Sequence, residues 1–154
     1  MEHGTSIVDR RTGDSGKTRF LFVGSLVEHK GIRVLMKAWD GVGKEAQIEL
    51  RIVGDGKLKK EAEEWARGDK RVKVYGRLSA KELEEVYKKS DVLVFPSICI
   101  ENHPTVIDEA HQFGLRVIAS DAGGVGEMVS GDDILIRPED VDGLAAEMVK
   151  LSRH

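Results

Sequence analysis

The chain has 154 residues, 40% apolar and 33% charged, the size and make-up of one globular domain of roughly 100–200 residues. Its longest uncharged stretch in the body of the chain, Val92–Ile100, is nine residues, against about 20 for a membrane helix, and the N-terminus carries Glu2, Asp9 and Asp14 where a signal peptide would not. A net charge of −3 from 24 basic and 27 acidic residues, well mixed, excludes a nucleic-acid-binding stripe but leaves room for a small anion held by a few local donors.

The expectation is therefore a cytoplasmic protein with no membrane span and no nucleic-acid partner. Cys99, the single cysteine, has no internal disulfide partner and reads as a packed small hydrophobe. One Asn and two Gln beside many Lys and Glu fit a heat-adapted source.

Residues 1–18, glycine- and serine-containing and without apolar period, read as a flexible lead-in or linker stub ahead of one domain over 19–154. Phe20–Val23 is a short apolar run ending at Gly24, a buried strand. Ile32, Leu35, Met36 and Trp39 recur at helical spacing between Gly31 and Asp40. Ile48–Val53 alternates and stops at the turn Gly54-Asp55-Gly56. Lys57–Arg67 is a charged helix, and Val72–Tyr75 a strand stopped by Gly76. Ser79 and Glu82 form a capping box that opens a helix with Leu83, Val86 and Tyr87 facing inward.

The second half repeats this rhythm. Val92–Phe95 is a strand, Pro96–His103 a loop, and Pro104–Phe113 a helix with proline in its first turn and Gly114 behind it. Arg116–Ala119 is a strand, Val125–Ser130 a short helix, Asp133–Ile136 a strand, and Pro138–Lys150 the last helix. Strictly alternating strands and helices call for an α/β fold, a doubly wound, Rossmann-like parallel sheet of six strands. Ligands of such folds bind beyond the carboxyl ends of the strands.

Three strand-to-helix loops invite an anion. Gly24–Gly31 brings Ser25, Lys30 and a helix start to one place, and it matches neither the dinucleotide fingerprint nor a Walker loop. Gly54-Asp55-Gly56 is a turn whose small residues let a ligand approach the strand end. The third, Pro96–Ala110, is the richest. A helix starting near Pro104 presents the free amides of Thr105 and Val106 at its positive end. Glu109, one turn on, leans back toward that end, and a carboxylate suits the vicinal diol of a ribose. A phosphate with a ribose beside it describes a bound nucleotide.

Glu101 and Glu109, with seven residues between them, resemble the paired-glutamate motif of retaining glycosyltransferases of the GT-B fold, glycosyl transferases group 1. The resemblance runs from Phe20 onward through Phe20–Gly31, Ile52–Gly56, Val74–Leu78, Ser90–Ser97 and Gly123–Glu127, in the family's order. It covers the C-terminal, nucleotide-sugar-binding half of that fold only. It implies that Lys30 pairs with the diphosphate of a UDP- or GDP-sugar and that the amides of Thr105 and Val106 hold the same phosphates. Gly24, Ser25 and Gly54 border them, and Glu109 takes the ribose. Arg77 and Leu78 flank the base, and Glu101, Asn102, His103 and Pro104 line the sugar, with Lys30 and Glu101 as the catalytic pair. It implies no cofactor and no metal, retention of anomeric configuration, and a diphosphate that helps accept the acceptor's proton.

Three departures from the family pattern stand out: Ser25 where an arginine is usual, His103 where an aromatic is common, and Arg116 in place of a proline. Asp140-Val-Asp142 looks like a metal-binding D-x-D, but its place at a helix start makes it a cap. His103, Asp108, Glu109 and His111 form a tempting cluster that lacks metal-ligand spacing. The rival readings are a sugar-nucleotide epimerase half and a binding or signalling module; a receiver domain needs acids where Gly24-Ser25 and Gly76-Arg77 stand. The resemblance further implies a partner N-terminal acceptor-binding domain, in the same or a separate chain. Peripheral membrane contact would come through that half, and the present polypeptide is expected to bind donor without transferring sugar alone.

Overall fold

The computed structural model describes residues 16–152, so the lead-in expected over residues 1–18 falls almost wholly outside the described residues. Six strands are present: β1 (Thr18–Val23), β2 (Ile48–Val53), β3 (Val72–Tyr75), β4 (Val92–Phe95), β5 (Arg116–Ser120) and β6 (Ile134–Ile136). Five α-helices alternate with them: α1 (Ile32–Asp40), α2 (Lys59–Ala66), α3 (Ala80–Lys88), α4 (Thr105–Gln112) and α5 (Val141–Leu151). Single 3-10 turns occupy Glu28–Lys30 and Gly124–Glu127. All strand pairs are parallel, in the order β3-β2-β1-β4-β5-β6. This is the expected doubly wound Rossmann-like sheet.

The period of two along the strands divides the core. Phe20, Phe22, Leu50, Ile52, Val92, Val94 and Ile118 face one side, where α1, α2 and α5 cover them through Leu35, Trp39, Ala62, Leu144 and Met148. Leu21, Val53, Leu93, Phe95, Val117 and Ala119 face the other, beneath Tyr87 of α3 and Ile107 and Ala110 of α4. Trp39 packs edge-on against Phe20, and its indole N–H donates to Asp69 at 3.0 Å. Strands buried on both faces are what a crossover-linked parallel sheet requires.

Several boundaries differ from the sequence reading for local reasons. β1 begins at Thr18 instead of Phe20, because Thr18 N–H donates to the Gln47 carbonyl and Arg19 N–H to Asp91 Oδ2. The helix expected over 57–67 is shorter at both ends. The helix expected over 125–130 is only the 3-10 turn Gly124–Glu127. The last helix starts at Val141 and not at Pro138, since Asp140 caps it by accepting from Gly143 N–H at 2.8 Å. The Ser79–Glu82 capping box is present in both directions, at 2.9 and 3.1 Å.

Candidate functional site

Strand order reverses between β1 and β4, and their carboxyl ends flank a cleft of about 260 Å³. Phe22, Val23 and Phe95 form its floor. The loop after β1 contributes Gly24, Ser25 and Lys30, and the loop after β4 contributes Glu101, Pro104, Thr105 and Val106. This is the crevice in which a doubly wound sheet binds its ligands.

The two loops are stitched together by backbone. Gly31 has φ +82°, and a Cβ there would collide with the Pro96 carbonyl oxygen, so only glycine permits the approach. Ile98 N–H donates to the His29 carbonyl at 2.9 Å. The approach sets Lys30 Nζ 3.1 Å from Glu101 Oε2. The hydroxyl of buried Ser97 donates to the same carboxylate oxygen at 2.6 Å. One oxygen of Glu101 thus receives two donors, and its orientation is fixed from below by the strand end.

A second clamp holds Glu101 by its main chain. Gly124 N–H donates to the Glu101 carbonyl at 2.7 Å, and Glu101 bridges Gly123 in parallel fashion. A Cβ on Gly123 would lie 2.5 Å from that carbonyl oxygen, and one on Gly124 would strike the Asn102 carbonyl. The glycine-rich stretch 123–127 therefore acts as a backrest for the Glu101 loop.

Pro104 stands at the N-cap of α4 with φ −71°, just outside the helix that was expected to include it. The amides of Thr105 and Val106 lie ahead of the first intrahelical bond, which runs from Ile107 N–H to the Pro104 carbonyl. Both residues line the cleft, so the positive end of α4 opens into it beside the Lys30 ammonium. Cation, free amides and an apolar floor together can hold an anion carrying a larger group.

Other residues singled out from the sequence sit around this centre. Glu109 is half-buried one turn along α4, where its Oε1 accepts a 2.9 Å hydrogen bond from Tyr87 Oη. Tyr87 is buried, stacked on Phe113 at 5.3 Å, and burial together with the Glu109 carboxylate pushes its phenol well above the usual range. Asn102 and His103 are exposed, and His103 Nε2 lies 2.8 Å from Asp108 Oδ2. Gly54, Arg77 and Leu78 do not line the cleft, and neither do Asn102, His103 or Glu109. Gly54 packs its backbone on the Gly24 carbonyl, Arg77 is exposed, and Leu78 leans on the core beneath α3.

Among the described residues no three His, Cys, Asp or Glu side chains converge as a metal site requires. His111, drawn into that cluster by sequence spacing, bonds Asp133 Oδ2 at 2.7 Å, away from His103 and Asp108. No described helix is long and apolar enough to cross a membrane. Sequence reading assigned no role to Ser97 and gave Tyr87 only a packing role. A tyrosine at an inward helical position, where phenylalanine would pack as well, signals a buried hydroxyl in need of a partner.

Comparison with known proteins fits this arrangement. Residues 17–154 match the model of the family described as glycosyl transferases group 1. The chain is 31% identical over 130 residues to the uncharacterized glycosyltransferase MJ1607 of Methanocaldococcus jannaschii, a span of 81% of this chain and 33% of that one. It is 29% identical over 141 residues to the sulfoquinovosyl transferase SQD2 of Arabidopsis thaliana, 88% of this chain and 27% of that one. The chain thus spans a third or less of these relatives' length. In fold it is similar to Anabaena Alr3699/HepE solved in complex with UDP-glucose, with a TM-score of 0.77 at 23% identity over 96% of this chain and 43% of the other. It is also similar to the lipopolysaccharide outer core galactosyltransferase WaaB, with a TM-score of 0.76 at 24% identity over 87% of this chain and 40% of the other.

Proposed function

Because the chain belongs to the glycosyl transferases group 1 family, we propose that it is the donor-binding half of a retaining glycosyltransferase, taking a nucleoside-diphosphate sugar such as a UDP- or GDP-sugar. The observation that carries this reading is the Lys30–Glu101 pair, 3.1 Å apart at the open end of α4.

In this reading the diphosphate rests on the amides of Thr105 and Val106. Lys30 supplies the compensating charge as the anomeric C–O bond to the diphosphate breaks and negative charge gathers on the leaving oxygens. The acceptor hydroxyl oxygen forms the new bond to the anomeric carbon on the same face. Its proton passes to the departing diphosphate, so no separate protein base is required. Glu101, steadied by Ser97, faces the sugar, and Glu109 accepts from the ribose hydroxyls. No metal or cofactor enters.

The acceptor and the opposite wall of the cleft come from a second domain, in the same or a separate chain. The short span of this chain along its relatives supports that division. Without that wall the domain binds donor and does not transfer sugar.

Calorimetry with UDP, GDP and ADP on the wild type, Lys30→Ala and Glu109→Ala tests the site. Weaker binding in both variants, with circular dichroism unchanged, is the expected result. Undiminished binding in both refutes the reading, and robust sugar transfer by this polypeptide unaided refutes the division of labour.

A further inference from the structure

Glu109 does not stand free to receive a ligand. Tyr87 reaches it from the neighbouring helix α3, and its hydroxyl has no other hydrogen-bond partner among the described residues. Tyr87 is 2% exposed, and its ring lies nearly parallel to that of Phe113, 7° between planes, immediately beyond the C-terminus of the helix that carries Glu109. Tyr87 is therefore anchored twice to α4, by stacking at the helix end and by the hydrogen bond one turn earlier. The bond uses Oε1 of Glu109 and leaves Oε2 with no protein donor among the described residues.

From this we propose that Tyr87 is a positioning residue for ribose recognition: by pinning Oε1 of Glu109 it aims Oε2, as a single pre-set acceptor, at one hydroxyl of the nucleotide sugar. The inference rests on the reading of Glu109 as the ribose acceptor and adds how that carboxylate is oriented. A glutamate has three rotatable side-chain bonds, and holding one in place for a ligand costs affinity unless the protein has already ordered it. Tyr87 orders it before the ligand arrives. Because the phenol stays protonated, the donor is constant across the neutral range.

Discrimination between ribose and deoxyribose nucleotides is the property that a merely packed tyrosine would not govern. Tyr87→Phe keeps the ring stack and removes only the hydroxyl. It and Glu109→Gln are titrated with UDP, GDP, their 2′- and 3′-deoxy counterparts and inorganic pyrophosphate. In the wild type one of the two deoxy series binds at least about fivefold more weakly than the ribose series, as expected for a lost hydrogen bond to a charged acceptor. Tyr87→Phe brings that ratio close to one and leaves pyrophosphate affinity unchanged.

The controls separate two failures. If Glu109→Gln retains the wild-type ratio, the assignment of Glu109 to the ribose is wrong and the role of Tyr87 falls with it. If Glu109→Gln collapses the ratio while Tyr87→Phe retains it, Glu109 stands and Tyr87 is refuted as its positioner. A measurement on the wild type removes dependence on variant folding. The chain has two tyrosines, so ¹³Cζ-tyrosine labelling gives two signals. The Tyr87 signal should move with ribose nucleotides and stay still with pyrophosphate; movement with both or with neither overturns the proposal.

Discussion

Lys30 and Glu101, separated by 71 residues of sequence, form a 3.1 Å ion pair across the point where the strand order reverses. Each belongs to a different loop, and neither loop alone would suggest a site. The pair is only partly shielded, with 28% and 14% of the two side chains exposed, so it adds about 1 kcal/mol or less to stability. Its value lies in placing one cation and one carboxylate beside the free amides of α4.

The first prediction concerns what that cation recognises. Lys30→Ala should weaken UDP, GDP and pyrophosphate alike, by about tenfold, the scale of one lost charge-assisted contact. The unfolding midpoint should barely move. Calorimetry alongside thermal melts checks both. A loss confined to one nucleotide would place Lys30 against the base instead of the phosphates.

The glycine backrest gives a second prediction. Gly123 has φ +66°, and a Cβ on it meets the Glu101 carbonyl oxygen at 2.5 Å and Ile100 Cγ2 at 2.6 Å. Gly123→Ala should therefore push the Glu101 loop off its seat and destabilise the fold by about 1–3 kcal/mol, read by urea unfolding. Nucleotide affinity should fall with it although residue 123 does not line the cleft. Gly131, also at positive φ but in open space, is the control: Gly131→Ala carries backbone strain without the collision and should leave affinity intact.

Much of this arrangement was legible in the sequence because glycine and proline punctuate it. β2, β3 and β4 match their expected bounds residue for residue, each ending where Gly54, Gly76 or Pro96 stops the run. Thr18 was missed as strand because its qualification is non-local: its N–H donates to the Gln47 carbonyl and it pairs with Ile48 of β2. The site divides in the same way. Lys30, Thr105 and Val106 are set by a loop and a helix start that the sequence shows directly. The Tyr87–Glu109 and Ser97–Glu101 bonds depend on how the sheet brings α3, α4 and the β4 loop together, and periodicity carries no trace of them.

Asp69 supplies a pH prediction far from the cleft. The Arg71 guanidinium, and after it the Trp39 indole N–H, hold its carboxyl far below the usual range, while partial burial opposes them. A depressed folded pKa means stability that is complete above the unfolded value of about 3.9 and drains away as pH falls below it. The stability gap between wild type and Asp69→Asn should thus be constant from about pH 5 to 8 and narrow steadily below about pH 4. Urea midpoints measured across that range give the comparison, and a gap that widens in acid would reverse the assignment.

Ser25 supplies the last prediction. It is exposed on the rim of the cleft, which Lys30 also lines. A hydroxyl offers phosphate one neutral donor, whereas a guanidinium offers a bidentate charged fork. The lining around it holds Lys30 as its one cation, and Glu101 already engages that ammonium. Ser25→Arg should therefore tighten UDP and GDP binding by about fivefold to tenfold and steepen its dependence on ionic strength. Because residue 25 is solvent-facing, thermal stability should shift little. The same substitution in Lys30→Ala should recover part of the lost affinity if both side chains address one diphosphate. No recovery would mean that the two positions serve different parts of the ligand.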